Sequence, residues 1–586
     1  MSDALNTLLE TWRARFAGAL ALWSRFTRLR EPVWCLRDED AARQGLTESF
    51  AMIRLTDQTI VINLNQIAQT HLENFSLEIL AHEIGHHVYA PADLTDNARM
   101  LARMRWALPG KEMHASFIGN LYTDLLINNR LQREKSLRIA DVYLALEQLQ
   151  GGKTEQPRMW TFYMRIYEIL WSIEKGKLAR GKIDNPLEGD AYLGARLIRS
   201  FARDWLDGSG RFAALCLPYL QEDDAAAMQR WLKVWRDTQN AGAGGGFPDG
   251  LTDIEPGERE GAIHPALDPE LSGVEQNDSG ENAAPPQEAA QPIVRTGQRR
   301  EPFEYGAILK QMGINLDDHE IAIRYYKQAA ARYLVKFPTR EIPQATDPLL
   351  EGLEPWQVGA PLENFDVVAS VMHSPHIVPG LTTLERVYGT SEGAQPERQA
   401  IDLDMYVDSS GSMPNPQVNV SYPALAGAII ALSALRVGAR VQCTLWSGAK
   451  QFQMTDGFVR DEHAILQVLT GYIGGGTAFP LHVLRDTYAA RKPNARPAHI
   501  LILSDIGVTT MYEKDERGQD GVEIARMALD NAKGGGTMAL NLIPGWKKND
   551  KLLETAAQQG WNIYPVSTLD GLVAFARAFS QMKYGE

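Results

Sequence analysis

The sequence predicts a multidomain protein: a mostly helical α+β domain, then an acidic linker, then a doubly wound α/β domain at the C-terminal end. Three observations predict it. Residues 1–240 carry apolar side chains at helical spacing, interrupted near Glu48–Leu64 by two strand patterns. Residues 241–300 lose that periodicity and gain glycine, proline and acids. From residue 399, short apolar runs alternate with amphipathic stretches, the pattern of a parallel sheet covered by helices. The interval 301–398 reads as a helical and irregular collar. A chain of 586 residues is long enough for three or four cores.

Composition narrows the function. The formal net charge of −14 argues against nucleic acid or an anionic membrane as the main partner, because phosphate binding needs a basic field. Cys35, Cys216 and Cys443 are the only cysteines and form no CxxC pair. That fits a reducing compartment rather than a disulfide framework. The N-terminus shows no basic region followed by an apolar core, and the longest apolar run, around Leu425–Leu435, is too short for a bilayer. A cytoplasmic location is expected.

In chain order, Leu5, Leu8, Leu9, Trp12, Phe16, Leu20 and Trp23 define a core-facing first helix. Strands are expected at Glu48–Leu55 and Thr59–Leu64, turning at Asp57-Gln58. A helix over about Asn74–Tyr89 follows, ended by Pro91. It carries Ala81-His82-Glu83-Ile84-Gly85-His86-His87. His82 and His86, four apart, fall on one helical face where both can hold one metal ion. Glu83 can reach a metal-activated water as general base. A catalytic zinc usually takes a third protein ligand. Asp124 is the preferred candidate, because an acid on the largely apolar helix Asn120–Asn128 needs a partner or a metal. His114 and Glu112 are the alternatives. His87 points away from His82 and reads as a packed residue.

This segment resembles the HExxH signature of zincin metallopeptidases. Two strands followed by the metal helix is the order expected of that fold, whose edge strand beside the cleft pairs with an extended peptide. The stretch around Asp124 is similar to the second metal helix of gluzincin-like peptidases, where a ligand Glu is followed one turn later by Asp. The chain departs from it: either Asn120 replaces the Glu or Asn128 replaces the Asp.

From Ile139 to Gln239 the pattern is helical, with Trp160, Trp171, Trp205, Trp231 and Trp235 read as packing residues. After Ala241 the acids run from Asp249 to Glu288 with Arg259 as the one cation before Arg295, the composition of a solvated, disordered tether. A helix is expected at Glu320–Val335. Trp356–Gly359, Val378–Thr383 and Arg386–Tyr388 resemble the segment preceding the von Willebrand A (VWA) domain in bacterial proteins encoded beside MoxR-type AAA+ ATPases. Gly389-Thr-Ser391-Glu-Gly393 matches GxSxG but lacks a following helix, so it reads as a loop.

In the last domain, strands are expected at Ile401–Asp408, Val441–Trp446, His499–Leu503, Ala539–Ile543 and Asn562–Val566. Ligands of such sheets lie beyond the carboxyl ends of the strands. Asp408, Ser410 and Ser412 leave the first strand, Thr477 lies in a glycine-rich loop, and Asp505 follows a later strand. Their oxygen donors suit a hard ion such as Mg2+. The set resembles the metal-ion-dependent adhesion site (MIDAS) of Rossmann-like VWA domains at all five positions. That resemblance implies an open coordination position filled by a partner's acidic side chain.

Together these readings imply a zinc metallopeptidase joined to a Mg2+-dependent recruitment domain, with a MoxR-type AAA+ ATPase as partner. The alternative is a non-enzymatic adaptor or co-chaperone of such an ATPase. The layout also resembles chelatase subunits, which have no evident need for HEIGHH.

Overall fold

The computed structural model describes residues 2–47, 49–149, 156–222, 238–239, 247–268, 271, 298–342, 346–392, 397–492, 495–542 and 551–581. It divides into two compact units: Met1–Gln328 with Val418–Val420, and Ala329–Gln417 with Ser421–Glu586. Both mix helices with sheets. Among the described residues no helix is long and apolar enough to cross a membrane.

The first unit opens with the helix Ser2–Trp23. A four-stranded sheet follows, in spatial order Val33–Cys35, Thr59–Asn63, Ala51–Arg54 and Thr238–Gln239. The middle two strands are antiparallel, and the expected turn is present with Gln58 at φ 58°. Ala51–Arg54 is not a free edge along its whole length. Thr238–Gln239 pairs with Ile53 and Arg54 in parallel. The expected open edge for a peptide is therefore closed at Ile53 and Arg54.

Helices then dominate, at Ser76–Val88, Leu94–Ala107, Ala115–Glu134, Ile139–Leu149, Arg158–Trp171, Asn185–Ser200 and Trp205–Glu222. Asp93 and Asp184 cap two of them, accepting from the amides of Asp96 and Leu187. Trp160 is buried and Trp171 stacks on Tyr167 at 4.3 Å, so these aromatics pack as expected. Trp231 and Trp235 lie outside the described residues.

The acidic stretch is not a free tether throughout. Residues 247–268 fold against the first unit. Glu255 bridges Arg99 (2.8 Å) and Arg103 (3.0 Å). Glu258, 1% exposed, accepts two bonds from Arg300, at 2.9 and 2.8 Å, and one from Trp106 at 2.9 Å. Asp268 is buried against Arg211. Composition misled because the neutralising arginines come from distant parts of the chain. Residues 241–246, 269–270 and 272–297 of the expected linker lie outside the described residues.

The collar is also redrawn. The helix Pro302–Gln311 belongs to the first unit, whose boundary falls at Gln328, within the helix Asp318–Ala331. Beyond it lie strands rather than irregular chain. Thr339–Ile342 pairs with Glu397–Ala400, and between them Thr346–Pro355 pairs with Leu384–Glu392. Gly389-Thr-Ser391-Glu392 thus forms part of a strand, not a loop.

The second unit holds a six-stranded sheet in the order Phe452–Met454, Val441–Trp446, Asp402–Asp408, Ala498–Ser504, Lys533–Leu540, Trp561–Pro565. Every neighbouring pair is parallel except the first, an edge strand that sequence reading missed. Alternate residues serve two faces. Tyr406, Ile500, Ile502 and Met538 pack with helices Leu481–Ala489 and Gly521–Ala532. On the opposite face Leu503 would meet a Cβ added at Gly427, so the helix Tyr422–Arg436 lies against that side.

Candidate metal centres

The helix Ser76–Val88 meets the helix Ala115–Glu134 at Gly85. A Cβ at Gly85 would fall 2.6 Å from Ile127 Cγ2 and 2.7 Å from Trp23 Cζ2. The missing side chain lets the two backbones approach closely. Asp124, one turn before Ile127, is thereby carried to the histidines. His82 Nε2 and His86 Nε2 are 3.2 Å apart, and Asp124 Oδ1 lies 3.7 and 3.4 Å from them. A four-coordinate ion with bonds of about 2.0–2.1 Å sets its ligands about 3.3 Å apart. The three donors match that spacing. Among the described residues they form the one group of three or more His, Cys, Asp or Glu able to hold a metal ion.

The surroundings prepare those donors. His86 Nδ1 faces the Ala90 carbonyl at 3.1 Å, and His82 Nδ1 faces Asn128 Oδ1 at 2.7 Å. Asn128 Nδ2 donates to the Tyr143 and Tyr167 hydroxyls, at 3.1 and 2.9 Å, which turns its carbonyl toward His82. Each imidazole then carries its proton on Nδ1 and offers the Nε2 lone pair. Burial holds the Tyr163 and Tyr167 phenols well above their usual range, so both stay neutral. Asn120 Nδ2 donates to Asp124 Oδ2 at 3.2 Å, leaving Oδ1 toward the histidines.

Glu83, 1% exposed, lines a pocket with His82, Asp124, Asn128 and Tyr143. Phe50, Ile79, Ile139, Val142 and Leu146 form its apolar wall. The alternatives for a third ligand fall elsewhere. His114 ends the short turn before the Asp124 helix, ten residues and about 15 Å of helix away. Glu112 accepts from the Gly110 amide at 2.9 Å. His87 turns to Gln58 Oε1, 2.6 Å away, and burial lowers its pKa.

The second cluster sits at the carboxyl end of the sheet. Asp408 ends its strand and accepts from the Ser410 amide at 2.8 Å. Ser410 Oγ lies 3.2 Å from Ser412 Oγ. A Cβ at Gly507 would meet Thr477 Cγ2 at 2.5 Å, Asp505 Oδ1 at 2.9 Å and Asp408 Oδ2 at 3.6 Å, so the three elements converge there. The loops are tied by Gly411 N to Gly475 O (3.1 Å) and Gly474 N to Ser409 O (3.0 Å). Burial raises the Asp408 pKa, and the charge of Asp505 raises it further. Two carboxylates ringed by hydroxyls form a donor set for a hard cation.

No protein-family model, curated protein or solved structure matches the chain. The structure brings together residues that the sequence had singled out, but their supports were missed. Asn128 was read as a residue on the Asp124 helix, one of two candidates for the departure from a gluzincin-like helix, and not as the partner of His82. Tyr143, Tyr163 and Tyr167 were not singled out. Ser504, whose hydroxyl donates to Asp408 Oδ2, carried no signal beyond its place before Asp505.

Proposed function

We propose that the first unit is a zinc-dependent peptidase of zincin type and that the second is a VWA-like domain recruiting a partner through Mg2+. The observation that carries the reading is the convergence of His82, His86 and Asp124 on one point beside buried Glu83. A zinc ion there would polarise the scissile carbonyl and acidify water. Glu83 takes the proton of the attacking water and delivers it to the departing amine. The apolar wall excludes solvent and seats a side chain of the substrate. Asn128 keeps His82 in its ligating tautomer.

By resemblance, Asp408, Ser410, Ser412, Thr477 and Asp505 would hold Mg2+, which would bind an acidic residue of a MoxR-type AAA+ ATPase. The ATPase would present substrates to the peptidase. Hydrolysis of an unfolded protein by the zinc-loaded chain, compared with Glu83→Gln, tests this. A general base is worth about 10²–10⁴ in rate. A fall of that size at unchanged zinc content supports the peptidase. No hydrolysis by either form, with Mg2+-dependent ATPase binding intact, supports the adaptor instead.

A further inference from the structure

The stretch between Leu349 and Tyr388 is built unlike the rest of the described chain. About half of all exposed large hydrophobic side chains among the described residues lie in it. Between 349 and 389 only Trp356, Ser370 and Thr383 are buried. The arm is a long antiparallel ribbon, Thr346–Pro355 with Leu384–Glu392, joined by Phe365–Asp366 and the short helix Val367–His373. Its internal hold is small. Trp356 lies 5.5 Å from the Phe365 ring and exchanges bonds with Thr383, and Asp366 caps the helix and pairs with Arg386.

A ribbon with so little core gains little from burial on its own. Its apolar side chains are also not scattered. Val367, Val368, Val371 and Met372 occupy one face of the helix at i, i+1, i+4 and i+5, and are 51–83% exposed. Contiguous apolar surface of this kind marks a contact site. The charge around it selects the occupant. Glu351, Glu354, Glu363 and Glu385 lie in the same stretch, Glu354 and Glu385 facing each other in the ribbon beside Phe365, and its one Lys or Arg, Arg386, is held by Asp366. A second copy would bring the same carboxylates and another chain of net charge −14.

We propose that this arm is a docking element for a protein surface that is apolar at its centre and rimmed by lysine or arginine. The docking is independent of both metal centres. It is reached through the two-stranded ladder Thr339–Ile342/Glu397–Ala400, directly before the strand that ends in Asp408.

The test uses the full chain and two short amphipathic helical peptides, one of leucine and lysine and one of leucine and glutamate. The Leu/Lys peptide is expected to bind and to weaken as salt rises, and the Leu/Glu peptide is not. Val368→Asp/Met372→Asp removes apolar contact while adding negative charge, so it separates docking from unspecific attraction. Binding at least tenfold weaker is expected, with the thermal unfolding curve unchanged because both side chains are solvent-exposed. Glu351→Lys/Glu354→Lys is expected to weaken binding and flatten its salt dependence. Equal binding by wild type and Val368→Asp/Met372→Asp, or no binding at all, overturns the proposal. So does a wild-type dimer in sedimentation that the same double variant converts to monomer, since a second copy would then cover the arm.

Discussion

The two candidate metal centres are assembled in opposite ways. The first is carried by helices. Its donors are mainly imidazole nitrogens, it is lined by an apolar cavity, and its geometry depends on two helices touching at Gly85. The second is carried by loops at a sheet edge. Its donors are all oxygen, and its geometry depends on backbone bonds between loops. The difference is one of chemistry and of support. Nitrogen with a single carboxylate suits a borderline ion, and hydroxyls with carboxylates suit a hard ion.

The comparison breaks if the centres are not independent. Asp124→Ala is expected to weaken zinc binding by more than about a hundredfold, exceeding the 10–100-fold typical of a residue one shell out. It leaves Mg2+ binding unchanged. Asp408→Ala should do the reverse. Competition titrations with a zinc chelator, and calorimetry with Mg2+, check both, and cross-talk between them would contradict the account.

The sheet behind the second centre supplies a sharper contrast, because it buries titratable groups on adjacent strands. Burial raises the Asp404 pKa to about 6, against an ordinary 3.8, despite its bonds from Tyr488 (2.9 Å) and Gln442 (3.1 Å). Burial lowers the His499 pKa from 6.5 to about 4. The folded state therefore holds the Asp404 proton where the unfolded chain has lost it, and stability from this group falls as pH rises from about 4 to 6. His499 acts oppositely: its folded form resists the proton, so stability falls as pH drops from about 6.5 to 4. The two slopes largely cancel in the wild type. Asp404→Asn is expected to raise stability at pH 7 by about 3 kcal/mol and to expose the acid-side loss due to His499. Urea unfolding at a series of pH values measures it, and an unchanged pH profile would contradict the assignment.

Smaller effects probe the first centre's support. Asn128→Ala is expected to weaken zinc binding about tenfold or more by releasing the His82 tautomer. Tyr167→Phe, which leaves Tyr143 as acceptor, should do less. Gly85→Ala forces Ile127 and Trp23 aside and should lower stability by about 1–3 kcal/mol, with weaker zinc binding in the folded fraction. Thermal unfolding with and without zinc separates those two consequences.

Local spacing made part of this legible. His82, Glu83 and His86 lie within one helical turn and a half, and Asp408, Ser410 and Ser412 within one loop, so short sequence windows contain them. Asp124 was legible by a different argument, an acid stranded on an apolar helix. The folded part of the acidic stretch was not legible, because Glu255 and Glu258 find their cations at Arg99, Arg103 and Arg300, far away in sequence. Nor was the ribbon between 346 and 392, whose strands pair without a core and so lack the apolar alternation that marks a strand. The strands Asp402–Asp408, Val441–Trp446 and Ala498–Ser504 were legible to within a residue, since burial on both faces leaves a continuous apolar run, whereas Lys533–Leu540 begins six residues before the expected Ala539.

The most direct measurement is the zinc content of the purified chain by elemental analysis, alongside His86→Ala. The account predicts one zinc per wild-type chain and none in His86→Ala, with the fold of both confirmed by circular dichroism. A folded wild-type chain that takes up no zinc, or a His86→Ala chain that keeps a full equivalent, would contradict it.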